Sequence, residues 1–289
     1  MNSCQKYFSA CALALLSQAA FAQAPDLGDA SGFTVLGGTA VTCTDSVVLG
    51  NVGSTAAFTN TRCTILGEMP PATNADAIGA RADFLDAYDD VRSIPCTTVL
   101  PSTITGPLTL TPGVYCTDAA LTGAGVLTLD AEGDPDAVWI FQIGTAATGA
   151  LTGTGFSVTM ANGGKACNVF WAPSAAVDMT DSALKGNILA GDVTGGSITM
   201  TRGTLTGRAL ANIAVTMTDA SLIGCDALSG SLSCTITPPK PPRQRCDQGV
   251  GNGPEGCDPG NSNQGDPLRS NDELGGTPGD PGRKGGNNK

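Results

Sequence analysis

The 289 residues include 26 carboxylates and 11 cysteines but no histidine, and that combination limits the chemistry open to the chain. Without histidine there is no Ser-His-Asp or Cys-His activation of a nucleophile and no His-ligated metal site. Paired acids could still hydrolyse a glycosidic bond, which needs two carboxylates flanking it. Nothing in the sequence sets two of them across a cleft. Asp130, Glu132, Asp134 and Asp136 alternate like calcium ligands, but Gly133 falls at the wrong place for an EF-hand loop. A polar turn between strands is the simpler reading. Asp83, Asp86, Asp89 and Asp90 read as the solvated face of a helix. Gly251 to Gly256 matches Gly-x-Gly-x-x-Gly, yet no strand precedes it and no helix follows, so nucleotide binding is rejected. No Cys-x-x-Cys occurs, which disfavours zinc. What remains is threonine, recurring on alternate positions of short strands. Its hydroxyl and methyl suit a surface that orders water, not one that turns over a substrate. No enzyme activity, cofactor or metal is expected.

The elements that would position those threonines follow from the ends inward. Lys6, the apolar run Cys11 to Leu16 and the small-x-small Ala20-Phe21-Ala22 read as a signal peptide over 1–22, cleaved after Ala22. The apolar run is too short to span a bilayer, and no later stretch is long enough either. The chain is therefore expected to be secreted or held at the cell surface, with no membrane span. Export makes disulfides the default for the nine cysteines beyond the cut. From Gln23 to Cys234 there are 19 acidic and 7 basic residues, and no basic stripe, which disfavours nucleic acid. Residues 235–289 begin with a proline cluster at Pro238 to Pro242 and continue in Gly, Pro, Asn and Asp. Such a segment buries too little apolar surface to offset its entropy, so a disordered tail is expected.

Between these ends, 23–234, lies one repeat-built domain. Met179 to Gly186, Met200 to Gly207 and Met217 to Gly224 share Met-Thr-x-x-small-Leu-x-Gly, at intervals of 21 and 17 residues. That is about one turn of a β-helix, whose coils stack to bury a continuous core. Looser copies fall at Phe156 to Met160 and Leu127 to Leu129. Period-two alternation turns Val177, Met179, Ile198, Met200, Val215 and Met217 inward on a first strand, and Leu184, Leu205 and Leu222 inward on a second. A third strand is apolar on both sides: Val138 to Phe141, Val169 to Trp171, Asn187 to Ala190, Arg208 to Ala211. It must therefore be covered on both sides. The cover is expected to be a helix from Asn74 to about 92, capped by Thr73 or Asn74 and ended by Pro95. Its buried stripe is expected to be Ile78, Ala82, Leu85, Tyr88 and Val91. At about 27 Å it would cover five or six coils.

Leu110 to Cys116, Leu127 to Ile143, Ala166 to Trp171, Gly186 to Ala190 and Gly207 to Ala211 together resemble the ice-binding-protein-like family of secreted microbial proteins, which includes antifreeze proteins. The resemblance covers most of Phe33 to Gly224. It implies a mainly β fold: a discontinuous right-handed β-solenoid of triangular cross-section with one axial helix. It also implies ice as the partner, bound through Thr-Gly-x-Thr-like motifs on one flat face. The matching positions are Thr180 to Ala183, Thr201 to Thr204 and Thr218 to Ser221. Only the middle one keeps both threonines, and Arg202 stands where a small residue is usual. The expected site is Thr180, Thr199, Thr201, Thr216 and Thr218 on the first strands, with Thr204, Thr206 and Ser221 on the neighbouring ones. Asp178, Asp181, Lys185, Arg202 and Asp219 are expected to interrupt it with charge.

Cys96 and Cys116 flank one of the resembling motifs and are candidates to pair; Cys225 with Cys234 and Cys246 with Cys257 are others, and connectivity stays open. A monomer is expected. The alternative function is a cell-surface or adhesive structural module with the same fold, engaging surface or matrix components. A flexible tail suits display or tethering.

Overall fold

The computed structural model describes residues 23–68 and 75–225. The expected signal peptide, the helix-cap positions Thr73 and Asn74, and the tail with Cys234, Cys246 and Cys257 lie outside them. The described residues all belong to one compact unit.

Every strand pairing among the described residues is parallel, and the chain cycles through three faces in turn. One coil shows how. Ile198–Thr201 lies on the first face; Thr204–Ala211 starts on the second and bends onto the third; Ala214–Thr218 returns to the first. The bend is why the repeat ends in glycine. Gly207 has φ 146°, and a Cβ there would meet the Gly186 carbonyl oxygen of the next coil at 1.9 Å. No other residue type fits that corner of a close stack.

The stacking order does not follow the chain. The first face runs Ala57–Thr61, Ala40–Thr44, Ala214–Thr218, Ile198–Thr201, Val177–Thr180, Leu151–Thr154, Leu121–Gly123, Thr103–Ile104. The two amino-terminal coils thus sit on the last described coil, with Val41 opposite Val215, Leu36 opposite Leu210 and Val48 opposite Leu222. The solenoid is discontinuous, as expected. The chain leaves the end coil and resumes at the far end, and the helix Ala75–Ser93 makes that journey. At 19 residues it is about 28 Å long.

The helix covers the third face. Val114, Ile140, Phe170, Leu189, Leu210 and Leu36, from six successive strands, pack beneath it. Their neighbours point the other way, into the solenoid core, where Phe141 stacks on Trp171 at 4.0 Å and Tyr115 on Phe141 at 5.5 Å. The buried stripe of the helix differs from the expected one. It is Ala77, Ala80, Phe84, Ala87, Tyr88 and Val91, while Ile78 is 58% exposed. The small alanines let the helix lie close to the sheet, and Phe84 supplies the bulk. An aliphatic side chain was a poorer guide to the contact side than the 3–4 spacing of small residues.

Hydrogen bonds fasten the helix end to the sheet. Gln142 Nε2 donates to the carbonyls of Val91 (2.6 Å) and Ile94 (2.7 Å). Arg92 donates to the carbonyls of Ile143, Ala172 and Gly144, and the Tyr88 hydroxyl to that of Pro173. Gln142 thereby satisfies carbonyls at the helix terminus, while Arg92 and Tyr88 reach from the helix to carbonyls at the ends of the third-face strands.

Three disulfides join described cysteines: Cys43–Cys63, Cys96–Cys116 and Cys167–Cys225. The second was a candidate from sequence. The third corrects the pairing of Cys225 with Cys234: Cys167 and Cys225 lie 58 residues apart in sequence, but stacking brings them together.

Candidate functional site

The first face is a two-row array of side chains. Its strands stack without a register shift, so residues two apart on one strand sit in line with their counterparts on every other strand. The first row reads Thr59, Thr42, Thr216, Thr199, Asp178, Thr152, Thr122, Thr103. Seven of its eight places are threonine. The second row reads Thr61, Thr44, Thr218, Thr201, Thr180, Thr154, all six threonine. All are exposed or half-buried, while the residue between them on each inner strand (Cys43, Met217, Met200, Met179, Gly153) is buried.

Coils repeat about every 4.8 Å, and alternate residues on a strand about every 6.6 Å. In a tetrahedral water network with O···O near 2.75 Å, second neighbours lie about 4.5 Å apart. The threonine rows match that repeat to within about 0.3 Å per coil, a difference the rotating hydroxyls and the water between them can take up. The Thr122 and Thr152 hydroxyls already lie 3.1 Å apart. Each threonine offers one donor and two acceptors plus a methyl, so the face can hold water in both senses without being fully hydrophilic.

Most of the expected charges are not on this face. Arg62, Asp45, Asp219, Arg202 and Asp181 follow the second row, each at the corner with φ between 47° and 60°. They form their own ladder along one edge. Arg202 grips Asp181 through two bonds of 2.9 Å, and Arg62 grips Asp45 in the same bidentate way. The guanidinium bonds hold both carboxyls below the ordinary carboxylate range. The left-handed corner follows the last strand residue in each coil, so these charges lie beyond the two rows. Lys185 lies on the second face and donates to the Thr206 hydroxyl at 2.8 Å. Asp178 is the charge that stands within the rows.

The eight residues expected to form one site divide between two faces. Thr180, Thr199, Thr201, Thr216 and Thr218 lie in the two rows. Thr204, Thr206 and Ser221 lie around the corner on the second face, whose outward residues are mixed. Lys185, Ala183, Val47 and Leu66 share its rows with threonines and serines. The four-residue segments Thr180 to Ala183, Thr201 to Thr204 and Thr218 to Ser221 straddle that corner, so none lies on a single face.

The family model for ice-binding-like proteins matches residues 28–223. The chain belongs to the ice-binding-like family. Among curated members it is similar to the ice-binding protein of Nostoc sp. (strain HG1), 39% identical over 203 residues, which are 66% of this chain and 71% of the relative. It is also similar to the ice-binding protein of Flavobacterium frigoris (strain PS1), 30% identical over 213 residues, 66% of this chain and 73% of the relative. A solved ice-binding protein from an Antarctic biological consortium shares its fold with a TM-score of 0.63 at 31% identity, covering 73% of this chain and 96% of that one. A domain of Shewanella frigidimarina ice-binding protein 1 gives 0.61 at 28%, covering 71% and 98%.

Eight threonines of this face are not among the residues expected from the sequence: Thr42, Thr44, Thr59, Thr61, Thr103, Thr122, Thr152 and Thr154. The Met-Thr repeat does not reach them, because residues other than Met fill the place between the rows in those coils. Gly123 and Gly153 do so because neighbouring side chains occupy their space: a Cβ on Gly123 would sit 2.4 Å from the Phe156 ring, and one on Gly153 2.6 Å from the Met179 sulfur. The looser copies proposed at Leu127 and Phe156 belong to the second face, where Leu127 pairs with Val158 and Ser157 with Ala183. A signal did exist. Val41-Thr42-Cys43-Thr44, Phe58-Thr59-Asn60-Thr61 and Leu151-Thr152-Gly153-Thr154 repeat Thr-x-Thr after an apolar residue.

Among the described residues no group of acids or cysteines could hold a metal ion. Asp130 accepts from the Glu132 amide and from Asn162 Nδ2, and Asp134 from the Asp136 amide, which are turn contacts.

Proposed function

We propose that this protein is a secreted ice-binding protein that adsorbs to ice through its first face, without catalysis. The supporting observation is the pair of in-register threonine rows, one eight coils long and the other six. Such a face pre-arranges anchored water before a crystal is met. Parallel strands, buried coil interiors and the helix behind the third face keep it flat, so little conformational entropy is lost on adsorption. The named activity of the relatives supports the same reading. Within the face, Thr180, Thr199, Thr201, Thr216 and Thr218 are the central contacts, and the eight threonines flanking them extend the array. Thr204, Thr206 and Ser221 serve a different surface. Secretion rests on the leader-like 1–22 segment; no helix of the described residues is long and apolar enough to cross a membrane.

Two measurements test this. Purified protein should partition into a slowly growing ice front and should show thermal hysteresis or inhibit recrystallisation. Protein left in the liquid, with unchanged crystal growth at high concentration, would remove the reading.

A further inference from the structure

We propose that Asp178 sets the strength of the face, acting as a single built-in break in an otherwise continuous threonine row. The inference rests on the first face being the adsorbing surface. Asp178 is the fifth of eight places in the first row, in register with Thr199 on one side and Thr152 on the other. It divides that row into four threonines and three.

No structural task explains the residue. It is exposed, and among the described residues it makes no side-chain hydrogen bond or ion pair. It lies in an ordinary strand, Val177–Thr180, where its neighbours in register are threonines and where aspartate is a poor strand former. The nearest corner cation, Arg202, is already engaged by both oxygens of Asp181. Lys185 is turned to the second face and bonded to Thr206. The Asp178 charge is therefore met by water alone.

That water is of the wrong kind for an ice-like layer. Each molecule in such a layer donates two hydrogen bonds and accepts two. A threonine hydroxyl can do both, whereas a carboxylate only accepts, at about four lone-pair sites. Waters around Asp178 must all point a hydrogen at it, which conflicts with the pattern anchored by Thr199 and Thr152. The methyl that would keep the place partly apolar is missing too. Freezing the layer onto the crystal then either strips solvent from a charge or leaves a defect.

The test compares wild type with Asp178→Thr, Asp178→Asn and Thr128→Asp in ice-front partition, with melting curves to confirm folding. Thr128 lies on the second face, so its new carboxylate is a control. Asp178→Thr should raise the partition constant about tenfold, the effect of relieving one unpaired charge. Asp178→Asn should fall between, since it removes the charge but adds no methyl, and Thr128→Asp should match wild type. An active wild type that Asp178→Thr fails to exceed would overturn the proposal and leave the adsorbing face intact. Inactivity of both would overturn the face itself. An inactive wild type rescued by Asp178→Thr would support both.

Discussion

Thr201→Tyr asks how far adsorption depends on a flat surface. Thr201 is fourth of six in the all-threonine row, with Thr218 and Thr180 beside it in register. Thr199 is two residues back on the same strand and Thr216 lies diagonally across. A phenol ring there stands above the plane and holds the crystal away from those four neighbours, so five threonines lose contact. At about 0.5–1.5 kcal/mol of net hydrogen-bond contribution each, the loss is about 2.5–7.5 kcal/mol. Since about 1.4 kcal/mol is a factor of ten, partition into ice should fall at least about sixtyfold. Tyrosine favours strands and the position faces outward, so melting should be unchanged. The control is Thr206→Tyr, the same change on the second face, which should keep wild-type partition. Equal losses in both variants would show that the rows of the first face have no special role. No loss in either would show that flatness does not matter.

Other perturbations probe the scaffold and its charges. Phe84→Ala removes the largest fully buried side chain of the helix and should cost about 3–5 kcal/mol in chemical denaturation. Replacing both Cys167 and Cys225 with alanine opens a 58-residue loop in the unfolded chain and should cost about 4 kcal/mol by loop entropy, seen as a lower denaturation midpoint. For pH, Asp45 and Asp181 have carboxyls lowered by their arginine partners. A lowered folded value adds stability that is present above the unfolded value and lost as pH falls through the folded one. The melting temperature should therefore be level from about pH 5 to 8, where no histidine titrates, and should drop below about pH 3.9. A melting temperature that climbs as the medium is acidified below that point would contradict the corner pairs.

Much of this was legible in the residues because short-range physics writes it there. Alternation of Met, Ile and Leu with Thr marked strands and their inward side. The 17-residue interval between Met200 and Met217 marked a coil. Apolar residues on both sides of Val138 to Phe141 and Val169 to Trp171 required a cover, and the helix supplies it. Cysteine pairing was only partly legible. Cys96–Cys116 flank one motif, but Cys167–Cys225 meet only once the coils are stacked.

The candidate face needed the tertiary structure, for two reasons. Coil order departs from chain order, so Thr42 is the in-register neighbour of Thr216, and Thr59 lies next beyond Thr42, although more than 150 residues separate both from Thr216 in the chain. And the corner conformation decides which face a side chain joins: at φ near 50° Asp181, Arg202 and Asp219 leave the rows, while Asp178, in ordinary strand geometry, stays within them. Sequence alone determined that threonines would lie outward on stacked strands, because period two and burial act locally. Which threonines share a plane, and which charge breaks it, depended on long-range stacking and on the handedness of a single backbone angle.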